Sequence, residues 1–185
     1  MTAPTGYDPD PALPLAQRVA GVLRDIRDFP KPGIVFKDIT PLLADGAALA
    51  AVVDDVADRR RGAIDVVVGM EARGFIVGAA VAYALGIGFV PVRKAGKLPG
   101  TTVRADYELE YGTAALEVHD DAIVAGQRVL VIDDVLATGG TAAATCDLVE
   151  RCGGVVVALE MLVEIDELGG RDRLPGRDVV SIVHC

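Results

Sequence analysis

The chain has 185 residues, 51% of them hydrophobic and 24% charged, a size and balance that suit one folded domain and exclude a disordered polyampholyte. Eighteen Lys and Arg against 27 Asp and Glu give a formal charge of −9, which speaks against nucleic acid and anionic membrane surfaces as partners. No apolar run approaches the about 18 residues that a membrane span needs, and Trp is absent beside four Tyr and four Phe, so the core relies on aliphatic packing.

The first residues carry Pro4, Pro9, Pro11 and Pro14 and read as a flexible arm over 1–14, without the basic start and apolar stretch of a secretory signal. Leu15, Val19, Val22, Leu23 and Ile26 then share one helical face, and 28–33 break it with Pro30, Pro32 and Gly33. Leu49, Val52, Val53 and Val56 mark a second helix, closed by Arg59, Arg60, Arg61 and Gly62. From there strands and helices alternate: a strand over 64–69, a helix over 74–85, strands over 88–92 and 128–133, a helix over 140–152, and strands over 155–163 and 179–183. That rhythm, with β-branched strands, predicts an α/β domain around a mostly parallel sheet flanked by helices. Residues 93–127 depart from it: Gly96, Pro99 and Gly100 mark a long loop, and 107–118 read as a hairpin. Cys146, Cys152 and Cys185 have no CxxC spacing and His119 and His184 are scattered, so reduced thiols in a cytoplasmic protein and no metal cluster are expected.

The segment richest in chemistry is 129–141. An apolar strand ends in Asp133 and Asp134, and a small-residue turn, Ala137, Thr138, Gly139, Gly140 and Thr141, opens a helix. Ligands of open α/β sheets sit beyond the carboxyl ends of strands, and a helix N-terminus offers unpaired N–H groups to a phosphate. Carboxylates repel phosphate but accept hydrogen bonds from vicinal hydroxyls, so the pattern suits a ribose 5-phosphate. The plain alternative is a capped strand–helix turn with two solvated aspartates. Neither GxxxxGK[ST] nor a strand-linked GxGxxG is present. A second strand end carries Glu71, Arg73 and Gly74, and residues 93–104 hold Arg93, Lys94, Lys97 and Arg104 with no carboxylate among them, a basic island in an acidic chain.

The 129–141 segment resembles the phosphoribosyl-pyrophosphate (PRPP) motif of type I phosphoribosyltransferases. Two more segments resemble the adenine phosphoribosyltransferases: DFPKPGIVFKDITP over 28–41, like their adenine-binding hood, and RKAGKLPG over 93–100 with YELEYG over 107–112, like their mobile catalytic loop. The resemblance runs from about Leu15 to the end, as a single phosphoribosyltransferase domain over 15–185, and implies the type I phosphoribosyltransferase fold with an N-terminal hood and a mobile catalytic hairpin loop over about 93–112. It implies transfer of a phosphoribosyl group from PRPP to adenine, giving AMP and pyrophosphate, with a 6-oxopurine enzyme or a PRPP-sensing regulator of the same fold as alternatives. It further implies these roles: Ala137, Thr138, Gly139, Gly140 and Thr141 at the 5′-phosphate; Asp133 and Asp134 at the ribose; Arg73, Arg93, Lys94 and Lys97 at pyrophosphate. Val35, Phe36 and Lys37 would meet adenine, Glu110 would be the catalytic acid/base, and Tyr111 would close over the site. The family often has Arg where this chain has Lys37. Mg2+ carried mainly by the diphosphate, a non-proline cis bond at Glu71–Ala72 and a homodimer are also implied.

Overall fold

The computed structural model describes residues 12–109 and 112–185, so most of the 1–14 arm, and both Glu110 and Tyr111, lie outside the described residues. The chain forms two compact units, one reaching to Val52 and one running Val53–Cys185.

In the first unit, helix α1 (Leu15–Val22) stops earlier than the apolar stripe suggests. Leu23 turns extended, and Ile26 belongs to strand β1 (Arg24–Arg27), paired antiparallel with β2 (Val35–Asp38). The stripe misleads because an apolar residue at every third or fourth place also fits a helix followed by a strand. A short helix α2 (Thr40–Ala44) follows, with Pro41 in its first turn, where a missing N–H costs nothing. Helix α3 (Gly46–Arg60) starts where the Asp45 carboxylate accepts the N–H groups of Ala47 and Ala48, both at 3.0 Å.

The second unit is built on a seven-stranded sheet. Its strands are β3 (Val66–Met70), β4 (Gly88–Lys94), β5 (Thr102–Leu109), β6 (Gly112–His119), β7 (Arg128–Leu136), β8 (Val155–Glu164) and β9 (Val179–His184), in the order β5-β6-β4-β3-β7-β8-β9. The pairs among β4, β3, β7, β8 and β9 are parallel, and the β5–β6 hairpin adds two antiparallel edge strands. The hairpin thus starts at Thr102, ahead of the Tyr107 that the sequence pattern suggests, and joins the main sheet at Arg93↔Glu117 and Lys94↔Leu116. Helix α4 (Gly74–Leu85) connects β3 to β4, and α5 (Gly140–Arg151) connects β7 to β8.

The two crossovers leave the sheet centre in opposite directions, so right-handed connection puts their helices on opposite faces. Alternation along the strands agrees. Added Cβ atoms at Gly69 and Gly78 would come within 3 Å of the Phe89 ring, and the one at Gly78 within 2.7 Å of Ile132. Val68, Met70, Val92, Val129 and Val131, of the other parity, pack in one cluster with Ala142, Leu148 and Val149 of α5. The strand order reverses between β3 and β7, and a crevice beyond their carboxyl ends is the place this topology reserves for a ligand.

One buried ion-pair network anchors the end of α3 to the sheet. The Glu160 carboxylate on β8 accepts Arg59 Nε at 3.0 Å and Arg60 Nε at 2.6 Å, and Arg60 also reaches Asp178 at 2.7 Å. Burial raises the Glu160 pKa, against the pull of Arg60 and Arg59. Glu160→Ala would leave Arg60 buried without its main partner and is expected to cost about 3 kcal/mol of unfolding free energy, read from urea midpoints.

Candidate active site at the centre of the sheet

Strand β7 runs on to Leu136, so Asp133 and Asp134 lie within it and not at its end. They are also buried, each with 8% of its surface exposed, which removes the alternative of two solvated aspartates. Asp133 Oδ1 accepts the N–H of Asp134 at 2.9 Å. Burial, with the Asp134 charge beside it, pushes the Asp133 carboxyl well above the usual carboxylate range. Asp134 is ion-paired with Arg73, which sits at the start of α4 on the neighbouring crossover. Thus the turn after β3 and the carboxylate pair on β7 meet across the reversal point.

Gly74 lets these elements approach. A Cβ there would lie 2.7 Å from the Ile132 carbonyl oxygen and 2.8 Å from Asp133 Oδ1. The Glu71–Ala72 peptide bond just before Arg73 is cis.

Beyond the aspartates, residues 137–141 form an open pocket with Met70, Asp133, Val135, Leu136 and Ala142. Gly139 stands at the N-cap of α5 with φ +77°, a left-handed conformation that glycine adopts without strain. The α5 N-terminus therefore points its unpaired N–H groups into the pocket with small side chains around them. Thr141 donates its hydroxyl toward Tyr107 at 3.4 Å, linking the turn to β5, and Thr145 donates to the Thr141 carbonyl at 2.9 Å.

The turn has a support that sequence reasoning missed. A Cβ at Gly139 would sit 2.2 Å from the Gly170 carbonyl oxygen, and one at Gly170 would sit 2.3 Å from the Ala137 carbonyl oxygen. Two backbones are in contact here, and only glycines permit it. Gly170 is placed in turn by Arg171, which donates to both oxygens of Glu164 at 2.8 and 2.7 Å and to the Val179 carbonyl at 2.8 Å. The Gly169-Gly170 pair after a long strand was the available signal.

The basic loop is held by carboxylates from outside it. Glu71 accepts Arg93 Nε at 3.2 Å and the Lys94 N–H at 3.1 Å. Arg93 also donates to the Lys97 carbonyl at 3.1 Å. Glu117 accepts the N–H groups of Lys97 and Leu98, each at 2.7 Å. Arg104 instead points along β5 to Asp106 at 2.7 Å, on an exposed face. The structure therefore places Asp133 and 137–141 around one pocket and pairs Asp134 with Arg73 beside it, and it sets Arg93 and Lys94 at the end of β4 with Lys97 on the turn beyond, tied by Glu71 and Glu117.

In the first unit, 28–34 form the turn of the β1–β2 hairpin, with a cis Phe29–Pro30 bond and Asp28 accepting the Gly33 N–H at 2.7 Å. Phe36 lies half-buried with its ring edge-to-face on Phe29, centroids 5.2 Å apart. Lys37 extends to Asp25 at 2.8 Å, so its ammonium is directed within the hairpin. Asp38 accepts the Thr40 N–H and hydroxyl, both at 2.9 Å, and Arg24 Nε at 3.1 Å; the Thr40 N–H leads in holding its carboxyl below the ordinary value.

Comparison with known proteins agrees with this architecture. Residues 36–182 match the phosphoribosyl transferase domain family. The adenine phosphoribosyltransferase of Salinispora tropica is 56% identical over 183 residues, covering 98% of this chain and 97% of the relative. The crystal structure of the Thermoanaerobacter pseudethanolicus adenine phosphoribosyltransferase superposes with a TM-score of 0.89 at 48% identity, over 92% of this chain and 99% of that one. The Saccharomyces cerevisiae enzyme, solved with an imino-altritol bisphosphate and adenine, gives a TM-score of 0.87 at 40% identity, over 91% and 98% of the two chains. With the carboxylate pair, the glycine turn and the strand order in place, this chain belongs to the phosphoribosyl transferase domain family and, within it, to the adenine phosphoribosyltransferases.

Proposed function

We propose that the chain transfers the 5-phosphoribosyl group of PRPP to adenine, releasing AMP and pyrophosphate, a purine-salvage reaction. The observation that carries this reading is the glycine turn at the α5 N-terminus following the Asp133–Asp134 pair at the strand-order reversal, in a chain 56% identical to the Salinispora tropica adenine phosphoribosyltransferase.

Each part of the substrate then has a matching group. The N–H groups and hydroxyls of 137–141 take the 5′-phosphate. Asp133 and Asp134 accept the ribose hydroxyls, and Arg73 exchanges its ion pair with Asp134 for the diphosphate. Arg93, Lys94 and Lys97 bring positive charge to the leaving group, which develops as the bond at the anomeric carbon lengthens. Val35 and Lys37 offer main-chain groups to an amino-purine edge and Phe36 its ring to the face. A main-chain role for Lys37 fits the tie of its side chain to Asp25.

The oxygen-bearing groups of the pocket, the Asp133 carboxyl and the Thr138 and Thr141 hydroxyls, with no His or Cys among its described lining residues, suit Mg2+ carried mainly by the diphosphate and water. When bound, that ion would neutralise leaving-group charge. A homodimer in the cytoplasm completes the reading; among the described residues no helix is long and apolar enough to cross a membrane.

Glu110 is proposed as the acid/base at the purine nitrogen. Glu110→Ala is expected to lower kcat by about 100-fold, within the usual range for general acid–base catalysis, while the Kd for PRPP stays within about twofold. An unchanged kcat removes Glu110 from the reaction. The overall reading is tested by turnover of free purine bases with PRPP.

A further inference from the structure

Lys97 sits on a loop with two prescribed freedoms, Gly96 and Gly100, both at φ +82° with open space around them. A loop of this kind fixes a cation only if something outside it does the fixing. Glu117 does so. It stands on β6 with only 6% of its surface exposed, opposite Arg93 on β4 and Arg104 on β5. A single oxygen, Oε1, takes the N–H groups of Lys97 and Leu98 at 2.7 Å each, short for N–H···O and characteristic of a charged acceptor. Two successive N–H groups converging on one carboxylate oxygen make a small anion nest, occupied by the protein's own side chain. Burial alone would raise the Glu117 carboxyl, but the N–H groups of Leu98, Gly96 and Lys97 outweigh it and hold the group below its ordinary value, so it is ionised at neutral pH.

We propose that Glu117 is a positioning residue for pyrophosphate recognition: its carboxylate folds 96–98 into the turn that presents the Lys97 ammonium to the diphosphate. This rests on the phosphoribosyl-transfer reading above. The charge of Glu117 has the wrong sign for contact with a diphosphate, yet it is turned to the backbone and sealed from solvent. That charge is taken up by N–H dipoles, while Lys97 itself remains exposed.

The test uses the full chain, inorganic pyrophosphate as probe, and the variants Glu117→Gln, Glu117→Ala, Lys97→Ala and the Glu117→Gln, Lys97→Ala double variant. Glu117→Gln keeps the shape and an acceptor oxygen but loses the charge, which preserves a folded comparison if Glu117→Ala does not fold. Hydrogen exchange at the Lys97 and Leu98 amides is expected to accelerate about tenfold in Glu117→Gln, the loss of about 1.4 kcal/mol of local protection. The Kd for pyrophosphate and the KM for PRPP are expected to rise about tenfold, with the KM for adenine unchanged. In the Lys97→Ala background, Glu117→Gln is expected to add less than about twofold, because both act through one ammonium. A merely structural glutamate would lower Tm without this split and would add its full effect to Lys97→Ala, and either result overturns the proposal. Wild-type protein that binds no pyrophosphate and makes no AMP overturns the underlying reading. Wild-type protein that does both, with unaltered variants, overturns the role of Glu117 alone.

Discussion

Gly139→Ala is expected to lower kcat/KM for PRPP by about 100-fold or more, equivalent to about 2.7 kcal/mol of lost transition-state stabilisation. Two penalties combine at this position. A φ of +77° costs an L-residue about 1–2 kcal/mol. The new Cβ would also lie 2.2 Å from the Gly170 carbonyl oxygen, a backbone atom that no side-chain rotation can move aside. Gly170 cannot retreat readily, because Arg171 ties its segment to Glu164 and to the Val179 carbonyl. The turn itself must therefore shift, and its N–H groups leave the position proposed for the 5′-phosphate. Gly126→Ala supplies the comparison. Gly126 has a φ of +82° but open space around its Cβ position, so its variant is expected to lose about 1 kcal/mol of stability with kinetics unchanged. Steady-state kinetics with varied PRPP, beside thermal melts of both variants, separate the clash from the backbone cost. Equal kinetics in the two variants would show that the contact with Gly170 does not shape the site.

Asp133→Asn is expected to make the protein more stable and a worse PRPP binder. Asp133 is buried beside Asp134, and its carboxyl titrates well above the ordinary range. In the unfolded chain the same carboxyl ionises near its usual value, about 3.9. Between those two values the folded state holds a proton that the unfolded state has lost, so the wild type loses stability as pH rises through that window. Asparagine carries no such proton, and its oxygen can still accept the Asp134 N–H. The Tm difference, variant minus wild type, is therefore expected to grow as pH rises above the ordinary carboxylate value. Over the same series the KM for PRPP is expected to rise by about tenfold or more, because a charged or chargeable oxygen for the ribose hydroxyl is gone. A Tm difference that shrinks with pH would contradict the raised carboxyl; an unchanged KM would remove Asp133 from the ribose.

The central fold was legible because its determinants are local. The bounds of α4 and the start of α5 follow from glycines next to apolar strands, and buried parallel strands announce themselves as β-branched runs. The β1–β2 hairpin was less legible, since Leu23 and Ile26 extend the helical stripe of α1 into residues that lead into and pair with β2. At the site, the glycine turn and the aspartate pair were visible as a contiguous pattern. Their supports were not: Gly170 meets Gly139 from beyond the end of β8, and Glu117 reaches back to Lys97 across a strand pair. A basic island free of carboxylates in sequence also turned out to be tied by Glu71 and Glu117 in space. Contacts between distant segments leave no periodicity in either segment, so only the folded chain displays them.

Phosphoribosyl transfer to adenine is tested most directly by incubating the protein with PRPP, Mg2+ and each of adenine, hypoxanthine and guanine in turn, and following nucleotide and pyrophosphate formation. AMP and pyrophosphate in equal amounts from adenine, with little product from the two 6-oxopurines, is the predicted result. Preferential turnover of hypoxanthine or guanine, or PRPP binding with no turnover of any base, would contradict it.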